Sequence, residues 1–159
     1  MVATEALSLD LPLPVDTDRL GALLSRLLRP GDTVLLAGPV GAGKTHLARA
    51  LIQHRLGRAE DVPSPTFTLV QTYDAPGGEV WHADLYRLSQ PDEVFELGLD
   101  SAFDTALCLI EWPDRLGDLT PPQALHLTLA NKGDGRWATL HGGRPGLLAD
   151  LGRDWANAS

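Results

Sequence analysis

The chain has 159 residues, 43% apolar and 21% charged, enough for the core of one globular domain spanning 1–159 and too few for two. Thirteen basic residues against twenty-one acidic ones leave a formal charge of −8, with Lys44 and Lys132 the only lysines, which excludes unaided binding to nucleic acid. No run of eighteen apolar residues is present, which excludes a spanning helix, and the amino terminus lacks a basic stretch followed by an apolar one, so a cytoplasmic location is expected.

In chain order, residues 5–13, "EALSLDLPL", alternate apolar and polar and predict a half-buried strand. In "VDTDRLGALLSRLLRPGD", Leu20, Leu23, Leu24, Leu27 and Leu28 form the apolar stripe of a helix. Asp16 or Thr17 is its expected cap, and Pro30-Gly31 its stop. "TVLLAG", Thr33 to Gly38, reads as a central strand. "KTHLARALIQHRLG" comes next as a helix with Leu47, Leu51 and Ile52 on one side and Gly57 at its end. Residues 58–66 show no periodicity and predict a loop.

"FTLVQTYDAPGGEVWHADLYRL" predicts a hairpin turning at Ala75-Pro76-Gly77-Gly78. "PDEVFELGL" predicts a short helix with Pro91 at its first position. "ALCLIE" is the second strongly apolar strand and holds the single cysteine, Cys108, expected to be buried and inert. "ALHLTLA" and "RWATLHG" form another hairpin around Asn131 to Gly135, and "RPGLLADLGRDWANAS" a last short helix. The expected fold is α/β: a three-layer arrangement with a mixed, mostly parallel sheet and antiparallel edge hairpins.

Between the first central strand and its helix, Gly38-Pro39-Val40-Gly41-Ala42-Gly43-Lys44-Thr45 fits G-x-x-x-x-G-K-[ST]. Glycines let consecutive backbone N–H groups turn inward onto phosphate oxygens, and the helix N-terminus adds partial positive charge. Lys44 is placed to reach the β- and γ-phosphates, and the Thr45 hydroxyl to ligate Mg²⁺. A glycine-rich turn with an exposed lysine is the bland alternative.

A P-loop needs a second, acidic hold on Mg²⁺, normally at the end of a neighbouring apolar strand. Glu111 ends "ALCLIE" at that place; the alternative is a rim carboxylate in solvent or paired with Arg115. Trp112, next in line, either lies against the nucleotide or plugs the strand end.

Two polar stretches precede Glu111. "SPTFT", Ser64 to Thr68, is a proline-pinned turn where nucleotide switches keep a γ-phosphate-sensing threonine, here Thr66. In "HADLYR", alternation puts His82, Asp84 and Tyr86 on one face, so Asp84 can orient an attacking water or back up the metal, or else sit in a structural cluster with an arginine. His82 is a poor Mg²⁺ ligand, since that ion prefers oxygen. "NKGD", Asn131 to Asp134, spells the guanine-reading tetrad, but the adjoining "GRWATLHG" alternates like a strand, so a turn is expected.

"GPVGAGKT", "SPTFTLV", "HADLYRL", "ELGLD" and "LIEWPDRL" occur in the order found in the TsaE (YjeE/YdiB) family of small bacterial P-loop ATPases, which the chain resembles from its first helix to its last hairpin. The resemblance implies an ATPase in biosynthesis of threonylcarbamoyladenosine at tRNA position 37. It implies TsaD and TsaB as partners, a complex reset by ATP hydrolysis, and tRNA reached only through that complex. By matched position it implies ATP phosphates on Gly41 to Thr45, Mg²⁺ on Thr45 and Glu111, a switch role for Thr66 and a hydrolytic one for Asp84. More weakly it places Thr17 and Arg136 near the nucleotide.

The chain departs from the family in two places. Pro39-Val40 stands where Asp-Leu is common, and His46 where a second hydroxyl residue would meet the α-phosphate. The sequence shows no obvious arginine finger, Arg87 being the best internal candidate, so slow turnover in isolation is expected. Rival readings are a small-molecule kinase, a nucleotide-gated adaptor without significant hydrolysis, and a GTPase.

Overall fold

The computed structural model describes residues 6–39, 41–57, 62, 69–86, 88, 90 and 92–157. Its elements begin with the strand Ala6–Leu11 (β1), the helix Pro14–Leu27 (α1), the strand Thr33–Ala37 (β2) and the helix Lys44–Leu56 (α2). A hairpin of Val70–Ala75 (β3) and Gly78–Asp84 (β4) leads to two short helices, Glu93–Leu97 (α3) and Leu99–Thr105 (α4). The strand Leu107–Glu111 (β5), a 3₁₀ segment Pro113–Leu119, the hairpin Leu125–Lys132 (β6) and Gly135–Gly142 (β7), and the helix Leu147–Asn157 (α5) complete the chain.

The strands form one sheet in the order β1-β7-β6-β2-β5-β4-β3. β2 pairs in parallel with β5 and β6, and β4 pairs in parallel with β5. The remaining pairs, β1 with β7, β6 with β7 and β3 with β4, are antiparallel, so only β7 and β3 run against the other strands. The mixed, mostly parallel sheet is therefore as expected. Strands buried on both faces read as unbroken apolar runs, and β5 is buried at every position.

Two apolar layers sandwich this sheet. On one face Leu20 and Leu24 of α1, Leu47 and Leu51 of α2, and Leu147 and Leu151 of α5 pack on Val34, Leu36 and Leu109. On the other, Val94, Leu99, Ala102 and Leu116 cover Leu35, Ala83 and Ile110. Cys108 lies in this second layer, where burial pushes its thiol up to about 12, so it carries no reactive thiolate near neutrality. No described helix is long and apolar enough to cross a membrane.

Several local expectations are corrected. Neither Asp16 nor Thr17 caps α1: Leu13 occupies the cap position, Pro14 the first turn, and the Asp16 carboxylate accepts the Leu13 N–H at 2.9 Å from inside the helix. Asp16→Ala is expected to cost about 1 kcal/mol of stability, read as a lower denaturant midpoint with an unchanged slope. A second helix, α4, comes after α3 across Gly98, whose φ of 81° ends the first. The hairpin after β6 turns on Gly133-Asp134 alone, with Gly133 at φ 58°. "NKGD" is thus a strand end and a turn. Pro91 and Phe67 lie outside the described residues.

Candidate functional site

Because β2, β5 and β4 are parallel neighbours, their carboxyl ends meet at one edge of the sheet, where open α/β folds gather ligands. β2 delivers Gly38 and the glycine loop, β5 delivers Glu111, and β4 delivers Asp84 directly beside Glu111 in register. α2 then starts at Lys44, so the first-turn N–H groups that every helix leaves without internal partners lie at the same edge.

Within the loop, Gly41 and Gly43 have φ of 83° and 95°, conformations an L side chain resists. A Cβ on Gly41 would meet nothing within 4 Å, so the space above it is open. The Ala42 N–H is returned to Pro39 O at 3.1 Å and its methyl is fully buried, which anchors the loop to the core. The Lys44 ammonium, largely buried, donates to Gly38 O at 2.7 Å and lies 4.4 Å above the Trp112 ring. Trp112 itself adopts the left-handed region, φ 59° and ψ 55°, and its ring sits 4.9 Å from that of Tyr86. Both readings of Trp112 have a basis, since it packs on the second apolar layer and also lines the cleft.

Glu111 is 3% exposed. One oxygen, Oε1, is 3.5 Å from the Thr45 hydroxyl; the other, Oε2, is 2.7 Å from Nε2 of the equally buried His82. The alternative of a solvated rim carboxylate is thereby overturned, and the carboxylate is hydrogen-bonded to His82 rather than paired with Arg115. Among the described residues His82 Nδ1 has no hydrogen-bond partner, so the tautomer protonated at Nε2 is the one these neighbours select. Asp84 accepts the Tyr86 N–H on Oδ1 at 3.1 Å. Strand β4 stops at Asp84, so Tyr86 does not share the His82–Asp84 face but projects into solvent beyond it.

Gly41, Lys44, Thr45, Asp84, Glu111 and Trp112 border a cleft of about 350 Å³. Gly43 and His46 border it too and also line a smaller cavity of about 80 Å³ together with Thr17 and Arg136. Thr17 and Arg136 thus stand beside the loop, although 119 positions separate them in sequence (136 minus 17). Asp134 of the hairpin turn sits on that cavity's edge. The His46 ring is held by Asp18 of α1 at 2.8 Å, a contact sequence reasoning missed. Thr66 and Arg87 lie outside the described residues.

The donor set fits a hard divalent cation. A hydroxyl and one carboxylate oxygen converge, and among the described residues no three His, Cys, Asp or Glu side chains do. Such an ion must therefore draw its remaining oxygens from phosphate and water, as Mg²⁺ does. His82 was the other residue missed as a participant. Its signal was present: a histidine alternating with Val80 on a buried face requires a polar partner.

Sheet order, glycine loop and strand-end acids define a P-loop NTPase-like α/β protein. The model of the family described as threonylcarbamoyl adenosine biosynthesis protein TsaE matches residues 11–138, and the chain belongs to that family. The tRNA threonylcarbamoyladenosine biosynthesis protein TsaE of Rickettsia felis is 42% identical over 114 residues, 72% of this chain and 67% of its own length. The protein of the same name from Treponema pallidum is 36% identical over 76% of this chain and 88% of its own. The crystal structure of Bacillus subtilis YdiB superposes with a TM-score of 0.79 at 25% identity, covering 97% of this chain and 99% of that one.

Proposed function

We propose that this chain is an ATPase of tRNA N6-threonylcarbamoyladenosine biosynthesis, binding ATP and Mg²⁺ and using hydrolysis to reset a complex of TsaD and TsaB between cycles. One observation carries the nucleotide reading: the Thr45 hydroxyl and the Glu111 carboxylate lie 3.5 Å apart beside an open glycine loop. That oxygen pair suits Mg²⁺, which when bound supplies charge neutralisation at the phosphates.

The chain's own residues do the rest by position and charge. Lys44 exchanges the Gly38 carbonyl for phosphate oxygens, and the backbone of Gly41 to Thr45 lines the phosphate path. Asp84, its carboxylate oriented by the Tyr86 N–H, holds the attacking water and takes its proton. Thr66 senses the γ-phosphate. Trp112 flanks the phosphate path, and Thr17, His46 and Arg136 accommodate the nucleoside end in the smaller cavity. With a charge of −8 the chain leaves tRNA to its partners in the cytoplasm.

Lys44→Ala is expected to weaken ATP binding about tenfold or more, measured by titration calorimetry, because it removes a charge-assisted contact to phosphate. Capture of TsaD and TsaB by the wild-type chain should differ between ATP and ADP and track ATP affinity in the variant. Failure to retain either protein with any nucleotide would end the pathway reading. Phosphoryl transfer to a metabolite in place of water would make the protein a kinase.

A further inference from the structure

The geometry points to His82 as the residue that positions Glu111 for the divalent cation, an inference resting on the Mg²⁺–ATP reading above. A glutamate at a strand end has one more rotatable bond than an aspartate, so its carboxylate needs an external restraint to present one chosen oxygen. The parallel register supplies one. Asp84 lies directly opposite Glu111, whereas His82, two residues earlier, lies opposite Leu109 and thus diagonal to Glu111 on the same face. The Glu111 side chain therefore leans back along the sheet, and His82 Nε2–H meets Oε2 at 2.7 Å.

With Oε2 engaged, Oε1 alone faces the Thr45 hydroxyl. His82 is itself 1% exposed, between β4 and the helix layer, where a ring has little room to turn. The orphaned Nδ1 strengthens the assignment. A buried polar atom without a partner is costly, and the site tolerates it at one ring nitrogen while satisfying the other on the carboxylate. The arrangement is that of a metal-bound carboxylate steadied by an outer hydrogen bond, an interaction whose loss typically weakens metal binding about 10–100-fold. His82 is not among the residues that line the cleft, so its effect passes through Glu111.

The test is equilibrium binding of a fluorescent ATP analogue, compared in excess Mg²⁺ and in chelator, for wild type, His82→Gln and His82→Asn. Glutamine carries its amide N–H to about the Nε2 position, while asparagine stops near Nδ1 and cannot reach Oε2. His82→Asn should bind about tenfold more weakly than wild type in Mg²⁺ yet equally in chelator, and His82→Gln should recover most of the Mg²⁺-dependent gain. Equal Mg²⁺ dependence in all three proteins would overturn the assignment. So would parallel losses in chelator and Mg²⁺, or His82→Gln no better than His82→Asn, since both are signs of a general packing defect. If the wild-type chain binds the analogue but gains nothing from Mg²⁺, the cation site at Thr45 and Glu111 fails first and takes this role with it. No binding by wild type under either condition removes the nucleotide reading itself, an outcome distinct from every variant result.

Discussion

Gly38→Ala is expected to destabilise the fold by about 3 kcal/mol or more and to lower the thermal midpoint by about 6–12 °C for a chain of this size. Gly38 has φ 137°, and a Cβ built there would stand 2.3 Å from the carbonyl oxygen of Leu129. That oxygen belongs to β6, whose pairing with β2 holds the middle of the sheet, so it cannot move aside like the tip of a side chain. Relief must come from separating the two strands where the loop begins. The same movement displaces the Gly38 carbonyl that receives Lys44, so nucleotide affinity should fall with stability. Gly41→Ala isolates the conformational part, since its φ is 83° but its Cβ meets nothing within 4 Å; about 1 kcal/mol is expected there. Equal midpoints for the two variants, by calorimetry or far-UV melting, would show that the contact with Leu129 is not what requires glycine.

A strained glycine announces itself in a motif, whereas the atom that strains it does not. "TVLLAG" and "ALCLIE" declare themselves as central strands because burial on both faces leaves no polar alternation, and the pattern 38–45 joins the first of them to its helix. Those features are local. The left-handed Trp112, by contrast, is imposed by the exit of β5 into a proline-led 3₁₀ segment, and α4 is separated from α3 by one glycine in a stretch without helical periodicity. Neither the left-handed residue nor the second helix shows in the apolar pattern of the sequence. The contacts that complete the site are non-local in the same sense. His82 reaches Glu111 only because β4 pairs with β5 in one register; a one-residue slip would turn it to the other face. Asp18 reaches His46 only because α1 lies close on α2, where a Cβ at Gly21 would be 2.8 Å from that of Ala50. Sequence thus located the acids and the cradle, while strand register and helix approach decided which side chains hold them.

Glu111→Gln should lower the rate of phosphate release from ATP by about 100-fold or more, measured in single turnovers, while leaving the folded protein at least as stable as wild type. The two expectations come from one source. Glu111 is a nearly fully buried carboxylate with the Asp84 carboxylate directly beside it in register, and like charges so placed oppose each other. The amide keeps the shape, can still accept the His82 N–H on its oxygen, and removes the charge that a cation would balance. A residue present only for packing would behave in the opposite way, losing stability and sparing the reaction. Functional sites often hold such locally unfavourable charge because binding, not folding, is where it is compensated. The melting midpoint of the variant without nucleotide should therefore be unchanged or higher, and the rise expected for wild type on adding Mg²⁺–ATP should shrink or vanish. A variant that melts lower yet hydrolyses ATP at the wild-type rate would assign Glu111 to the core alone and leave the strand-end acid of the reaction to Asp84.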